Sequence, residues 1–152
     1  MISRGKMKSE EIQVAVKKVV LDVFENMYFM FPEAITEDDP VPSLPEKCFR
    51  AMVAVKNSSE AFMLYCSEQL VVDMARNLLG RDRAIPEADL VDVFKETANI
   101  IAGNLVTTLA LDGSVDLDFP VAERLQDRSE LRTPPGLIFN IDNEFLKATL
   151  FY

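Results

Sequence analysis

Four residues of this chain are hard to explain by solubility alone: Asp92, Glu96, Asn99 and Gly103. At 100° per residue they fall in one stripe about 60° wide, on a helix opened by Pro86 at its first position and running to about residue 111. Opposite them, Leu90, Phe94, Thr97, Ile101, Leu105 and Thr108 share an arc of about 80° and form the expected buried face. Asparagine is a poor helix former, and a mid-helix glycine costs roughly 1 kcal/mol against alanine. Gly103 removes a side chain where another surface can approach closely. Glu96 and Asn99, at i and i+3, project side by side, so one partner meets both. An ordinary polar helix face is the alternative reading of the same four residues.

The rest of the composition leaves chemistry to carboxylates, amides, hydroxyls or a partner molecule. Among 152 residues there is no histidine, which removes His-based triads, imidazole acid–base schemes and His-ligated metals. Acidic residues outnumber basic ones 25 to 16, a net charge of −9, which argues against a nucleic-acid partner. With 49% hydrophobic residues, the chain reads as one folded domain over 1–152, burying roughly 70% of its unfolded surface. Cys48 and Cys66 are too few for a disulfide scaffold or a structural zinc site and read as buried thiols. If the runs around Asn57 and Ser58 form a hairpin, the two thiols lie near each other across it, within reach of an occasional disulfide. No metal site is expected. Glu37, Asp38 and Asp39 sit beside prolines and read as solvated loop acids, and Asp22 and Glu25 lack glycosidase-like spacing. Lys17, Lys18, Asp22 and Glu25 interrupt the segment after the basic N-terminus, so neither a signal peptide nor a membrane span is expected, and a cytoplasmic location is.

The elements that must position the stripe follow from period and punctuation. Ser9, followed by Glu10 and Glu11, starts a long helix whose Ile12, Val16, Val19, Val23, Met27 and Met30 share one side, and Pro32 stops it. Leu21 and Tyr28 make the opposite side apolar around Glu25, so this helix is expected to be covered on two sides. Residues 33–46 read as an extended acidic loop; 49–55 and 61–66 read as a hairpin. Ser67 caps a short helix with Leu70, Met74 and Leu78 on one face and Gly80 at its end. After the long second helix come a turn at Asp112-Gly113, a strand over 114–119, a charged stretch over 123–132, and a second hairpin, 137–141 and 145–152, turning at Asp142-Asn143. The apolar terminal strand is either central or paired at its edge across a homodimer. Short connections require a largely antiparallel sheet, and the order of elements suggests a pseudo-repeat of about 8–80 and 86–152.

The segment from Asp92 to Asn99 has the form D-x3-E-x2-N, followed by Gly103, and Pro120 comes after Asn99 with twenty residues between them. This resembles the active helix of the CheC/CheX/FliY family of chemotaxis phosphatases, which act on the phosphorylated response regulator CheY. In the first half the corresponding positions are Leu21, Glu25 and Tyr28, so one full signature per chain looks like CheX rather than the two-site CheC form. The resemblance implies an α+β fold of duplicated helix/hairpin units, with two long helices on one face of the sheet, and a homodimer. It implies that Asn99 orients the attacking water and Glu96 contacts the receiver's active-site lysine, making these the catalytic pair. Asp92, Gly103 and Pro120 would then serve partner binding, and the only cofactor would be Mg²⁺ on the partner receiver domain. A non-catalytic module of the same fold, binding a receiver or a flagellar-switch component, is the other reading.

Overall fold

The computed structural model describes residues 9–36, 39–40, 43–80, 84–109, 115–132 and 136–151. Among the described residues, three helices, α1 (Ser9–Tyr28), α2 (Glu68–Leu79) and α3 (Glu87–Thr108), accompany six strands. These are β1 (Glu33–Ala34), β2 (Cys48–Ala54), β3 (Ala61–Ser67), β4 (Val121–Arg124), β5 (Leu137–Ile141) and β6 (Glu144–Phe151). They form one antiparallel sheet in the order β1-β5-β6-β3-β2-β4, so the fold is α+β.

Strand alternation sorts the side chains. Phe49, Ala51 and Val53 of β2, Phe62, Leu64 and Cys66 of β3, and Leu146 and Ala148 of β6 enter one core with all three helices, through residues such as Val20, Phe24, Leu70, Met74, Phe94 and Ile101. Cys48, Met63, Tyr65 and Phe145 face the other way and are covered by Leu131 of a 3-10 turn, Arg128–Leu131. Every residue of β3 is therefore buried, which explains why its sequence is a continuous apolar run. Polar pins hold the turn in place. The ammonium of Lys147 donates to the Leu131 carbonyl at 3.0 Å, burial pushing its pKa down, and Arg50 donates to Glu130 at 2.8 Å.

Several boundaries differ from those expected. The first helix ends at Tyr28, before Pro32, because Phe29 turns into the left-handed region (φ 55°). The Phe29 amide donates to Glu25 and the Met30 amide to Phe24, satisfying two terminal carbonyls. Pro86 is the cap residue rather than the first helical one, and Thr108 is exposed where α3 ends. Ser67 does cap α2, accepting from the Leu70 amide at 3.3 Å, while Leu78 is exposed. The loop over 33–46 contains β1.

The expected strand at 114–119 begins at a residue outside the described ones, and over 115–119 it is reduced to a single bridge, Leu117 to Val55. Between it and the Val121–Met52 pair the chain carries one more residue than β2 does, so the ladder is broken by a bulge ending at Pro120, which has no N–H to donate. Regular pairing starts only at β4, which runs into the stretch over 123–132 that reads as a charged connection. The Asp112-Gly113 turn, Glu37 and Asp38 lie outside the described residues. The terminal strand β6 is central, between β5 and β3, so it offers no free edge.

The hairpin register corrects the thiol expectation. Cys48 pairs with Ser67 and Phe49 with Cys66, so the two cysteines point to opposite faces of the sheet and cannot bridge. Burial raises the Cys48 thiol from its ordinary 9.0 to about 12, and raises Cys66 as well. A pKa raised by folding gives stability that is full below pH 9 and is lost as pH climbs toward the folded value. Urea unfolding should therefore show stability declining above about pH 9, with a shallower decline in Cys48→Ala. At pH 8 a thiol-reactive dye should label neither cysteine until the protein unfolds.

Candidate functional site

The start of α3 is fixed by an arginine that the sequence pattern did not single out. Arg124 of β4 donates to Glu87 at 2.7 Å and to Glu68 at 2.5 Å, tying the first turns of α3 and α2 to the sheet. Its guanidinium lies 4.7 Å from the centroid of the Phe49 ring, and Phe49 packs against Phe94 of α3 at 6.3 Å. Charge-assisted bonds and the cation–π contact act on one side chain, giving the helix a fixed origin.

From that origin, Leu90, Val93, Phe94, Thr97, Ala98, Ile101, Ala102 and Leu105 are buried, covering about half the helix circumference. Asp92, Glu96, Asn99 and Gly103 all lie on the remaining side, as the spacing requires. Asp92 and Glu96 are exposed, whereas Asn99 and Gly103 are half-buried rather than fully open. Asp92 forms an ion pair with Lys95 at 3.6 Å. Among the described residues, neither the Glu96 carboxylate nor the Asn99 carboxamide bonds to another side chain, so both retain their hydrogen-bonding capacity. A Cβ built on Gly103 would meet nothing within 4 Å, so no contact within the described fold demands glycine there.

Pro120 approaches the same region from the sheet. Arg124 stands beside Glu87, and β4 runs toward that end of the helix, so the residues before β4 lie farther along it. Strand rise puts Pro120 about 13 Å back from Arg124, and helical rise puts Asn99 about 18 Å beyond Glu87. The bulge at Pro120 thus lies toward the middle of α3, with Phe119 exposed on it.

On the other flank α1 runs antiparallel to α3. Glu10, Glu11 and Val14 lie near Thr108 and Leu109, and Tyr28 reaches Thr97. Tyr28 is buried here, so α3 is what covers the second apolar side of α1. Among the described residues no cluster of three or more histidine, cysteine or acidic side chains could hold a metal ion. Asp39 is taken up by its own loop, where the Thr36 amide and hydroxyl, each at 2.9 Å, hold its carboxyl below the usual range. No helix among the described residues is long and apolar enough to cross a membrane.

A family model described as chemotaxis phosphatase CheX matches residues 49–133, more than half of the chain, including the whole of α3 and Pro120. The chain belongs to the CheX family. No curated protein matches it in sequence. Among solved structures, the chemotaxis protein CheX of Desulfovibrio desulfuricans is similar at 14% identity, covering 93% of this chain and 99% of that one, with a TM-score of 0.65. CheX of Vibrio vulnificus gives 15%, 93%, 97% and 0.64 on the same measures. A CheX–CheY–BeF3–Mg²⁺ complex from Borrelia burgdorferi gives 17%, 93%, 94% and 0.56. These likenesses carry the fold of the CheX family across nearly the full length of the chain.

Gly103 can be tested without any partner. Because the site is open, Gly103→Ala should raise stability by about 0.5–1 kcal/mol through helix propensity. Chemical denaturation checks this, and an unchanged or lower midpoint would show that the helix needs glycine there for its own packing.

Proposed function

We propose that the protein is a phosphatase of a phosphorylated CheY-like receiver domain, with α3 as its working surface. The observation that carries this reading is the pairing of Glu96 with Asn99. Among the described residues neither polar end has a partner, and the helix that bears them is held by the sheet, by α1 and by α2. The CheX–CheY complex among the structural relatives supports the choice of partner.

The chemistry asks little of the helper protein. In an aspartyl phosphate the leaving group is a carboxylate, with a pKa near 4, so no general acid is needed to protonate it. A water oxygen attacks phosphorus, the bond from phosphorus to the aspartyl oxygen breaks, and inorganic phosphate leaves. The receiver supplies the phosphoryl group and its own Mg²⁺. What remains is to hold one water in line, and a carboxamide does this by donating through its NH₂ and accepting through its carbonyl. This parallels the glutamine that orients water in GTPases. Asn99 takes that part. Glu96, one turn earlier, anchors on the receiver's active-site lysine through a charge-assisted bond. Asp92 makes a flanking contact, Gly103 leaves room for the partner's approach, and the Pro120 bulge borders the helix. A hundredfold acceleration requires only about 2.7 kcal/mol off the barrier, which one oriented water can supply.

The test is to phosphorylate a receiver domain and follow phosphate release with and without the protein. The wild type should shorten the phosphate half-life at least tenfold, and Asn99→Ala should abolish most of that gain. Binding with no change in half-life would select the non-catalytic module instead. The homodimer belongs to this same reading but must use a surface other than the central strand β6; a monomer by light scattering at micromolar concentration would remove it.

A further inference from the structure

We infer that Tyr28 is a positioning residue for the α3 stripe, its hydroxyl setting the rotation of α3 through Thr97 and thereby the aim of Glu96 and Asn99. This rests on the phosphatase reading above.

Tyr28 is the residue at which the three helices meet. Its carbonyl, one of the terminal acceptors of α1, receives a hydrogen bond from the Asn77 carboxamide of α2 at 2.9 Å. Its ring packs on Phe24 with centroids 5.7 Å apart, and the residue is 1% exposed. Its hydroxyl lies 2.6 Å from Thr97 Oγ1 of α3. The direction of that bond follows from proton accounting. The Thr97 hydroxyl has one proton and donates it to the Val93 carbonyl at 2.7 Å, so Tyr28 is the donor and Thr97 the acceptor. The chain Tyr28 to Thr97 to Val93 is buried and fully satisfied, which makes it geometrically exacting.

Its place on α3 gives it leverage. Thr97 follows Glu96 directly and precedes Asn99 by two residues. Burial raises the phenol of Tyr28, and its bond to Thr97 acts the other way. A side-chain tip about 6 Å from the helix axis moves about 1 Å for each 10° of helix rotation. A displacement of that size can cost up to about a hundredfold in rate when a water must be held in line. Apolar packing alone allows such rotations more readily than a short directional bond does. The sequence correspondence adds a reason for tyrosine. Leu21, Glu25 and Tyr28 repeat the spacing of Asp92, Glu96 and Asn99, so the residue standing where the first half would carry its asparagine is turned inward and steadies the second.

Tyr28→Phe keeps the ring and deletes only the hydroxyl. In the receiver dephosphorylation assay, kcat should fall about tenfold while KM for the phosphorylated receiver stays within twofold, with unfolding still cooperative. Thr97→Val, which deletes the acceptor, should give a comparable loss, and the double variant should be no worse than either single one. Thr97→Ser, which keeps the hydroxyl, should retain activity. A kcat for Tyr28→Phe within twofold of wild type, or a change confined to KM, overturns the inference. If Tyr28→Phe does not fold, the contrast between Thr97→Val and Thr97→Ser decides in the same way. Failure of the wild type to accelerate phosphate loss would instead overturn the phosphatase reading itself.

Discussion

Helix α3 has to bury about half of its circumference against the sheet and its neighbouring helices, and the rest of the structure follows from that constraint. A helix so engaged cannot turn freely. With Phe94 seated against Phe49 and Ile101 and Leu105 in the core, the side carrying Asp92, Glu96, Asn99 and Gly103 faces away from the core. Arg124 fixes where the helix begins, and the Tyr28–Thr97 bond fixes its middle. Two uncommitted polar groups are thus presented by a rigid element, which suits recognition of a reacting group better than a loop does.

What was legible in the sequence, and what was not, divides by the range of the interactions. The face of α3 could be read because its apolar residues recur at helical spacing, so Leu90 through Leu105 place the stripe without knowledge of any neighbour. The caps at Ser67 and Gly80 and the turn at Asp142-Asn143 are likewise local, written in residue types whose backbone preferences are strong. The strand expected over 114–119 gives way to a bulge because the break before β4 depends on how the segment meets β2. The thiols were misplaced for a similar reason. Both lie in adjacent strands, but which face each takes depends on a register that the hairpin turn sets and that composition does not reveal. Tyr28 marks the second apolar side of α1, which is covered as expected; only the packing of α3 across it shows where its hydroxyl goes.

The lack of histidine acquires a physical sense in this light. A scheme built on proton transfer would need a group titrating near neutrality, and the chain has no imidazole. A scheme built on orienting water needs an amide, and on the proposed reading Asn99 of α3 is that amide. On the proposed phosphatase reading, the helix frame and the receiver's own reactive phosphate would share the work.

The central claim is that the exposed side of α3 is where a phosphorylated receiver docks. Backbone amide chemical shifts of the protein, recorded as a BeF3-activated, Mg²⁺-loaded receiver is added, test it most directly. The largest changes are expected along residues 92–103 and at the bulge around Pro120. Little change is expected on the opposite sheet face around Tyr65 and Leu131. Changes centred on that opposite face, with α3 unaffected, would contradict it.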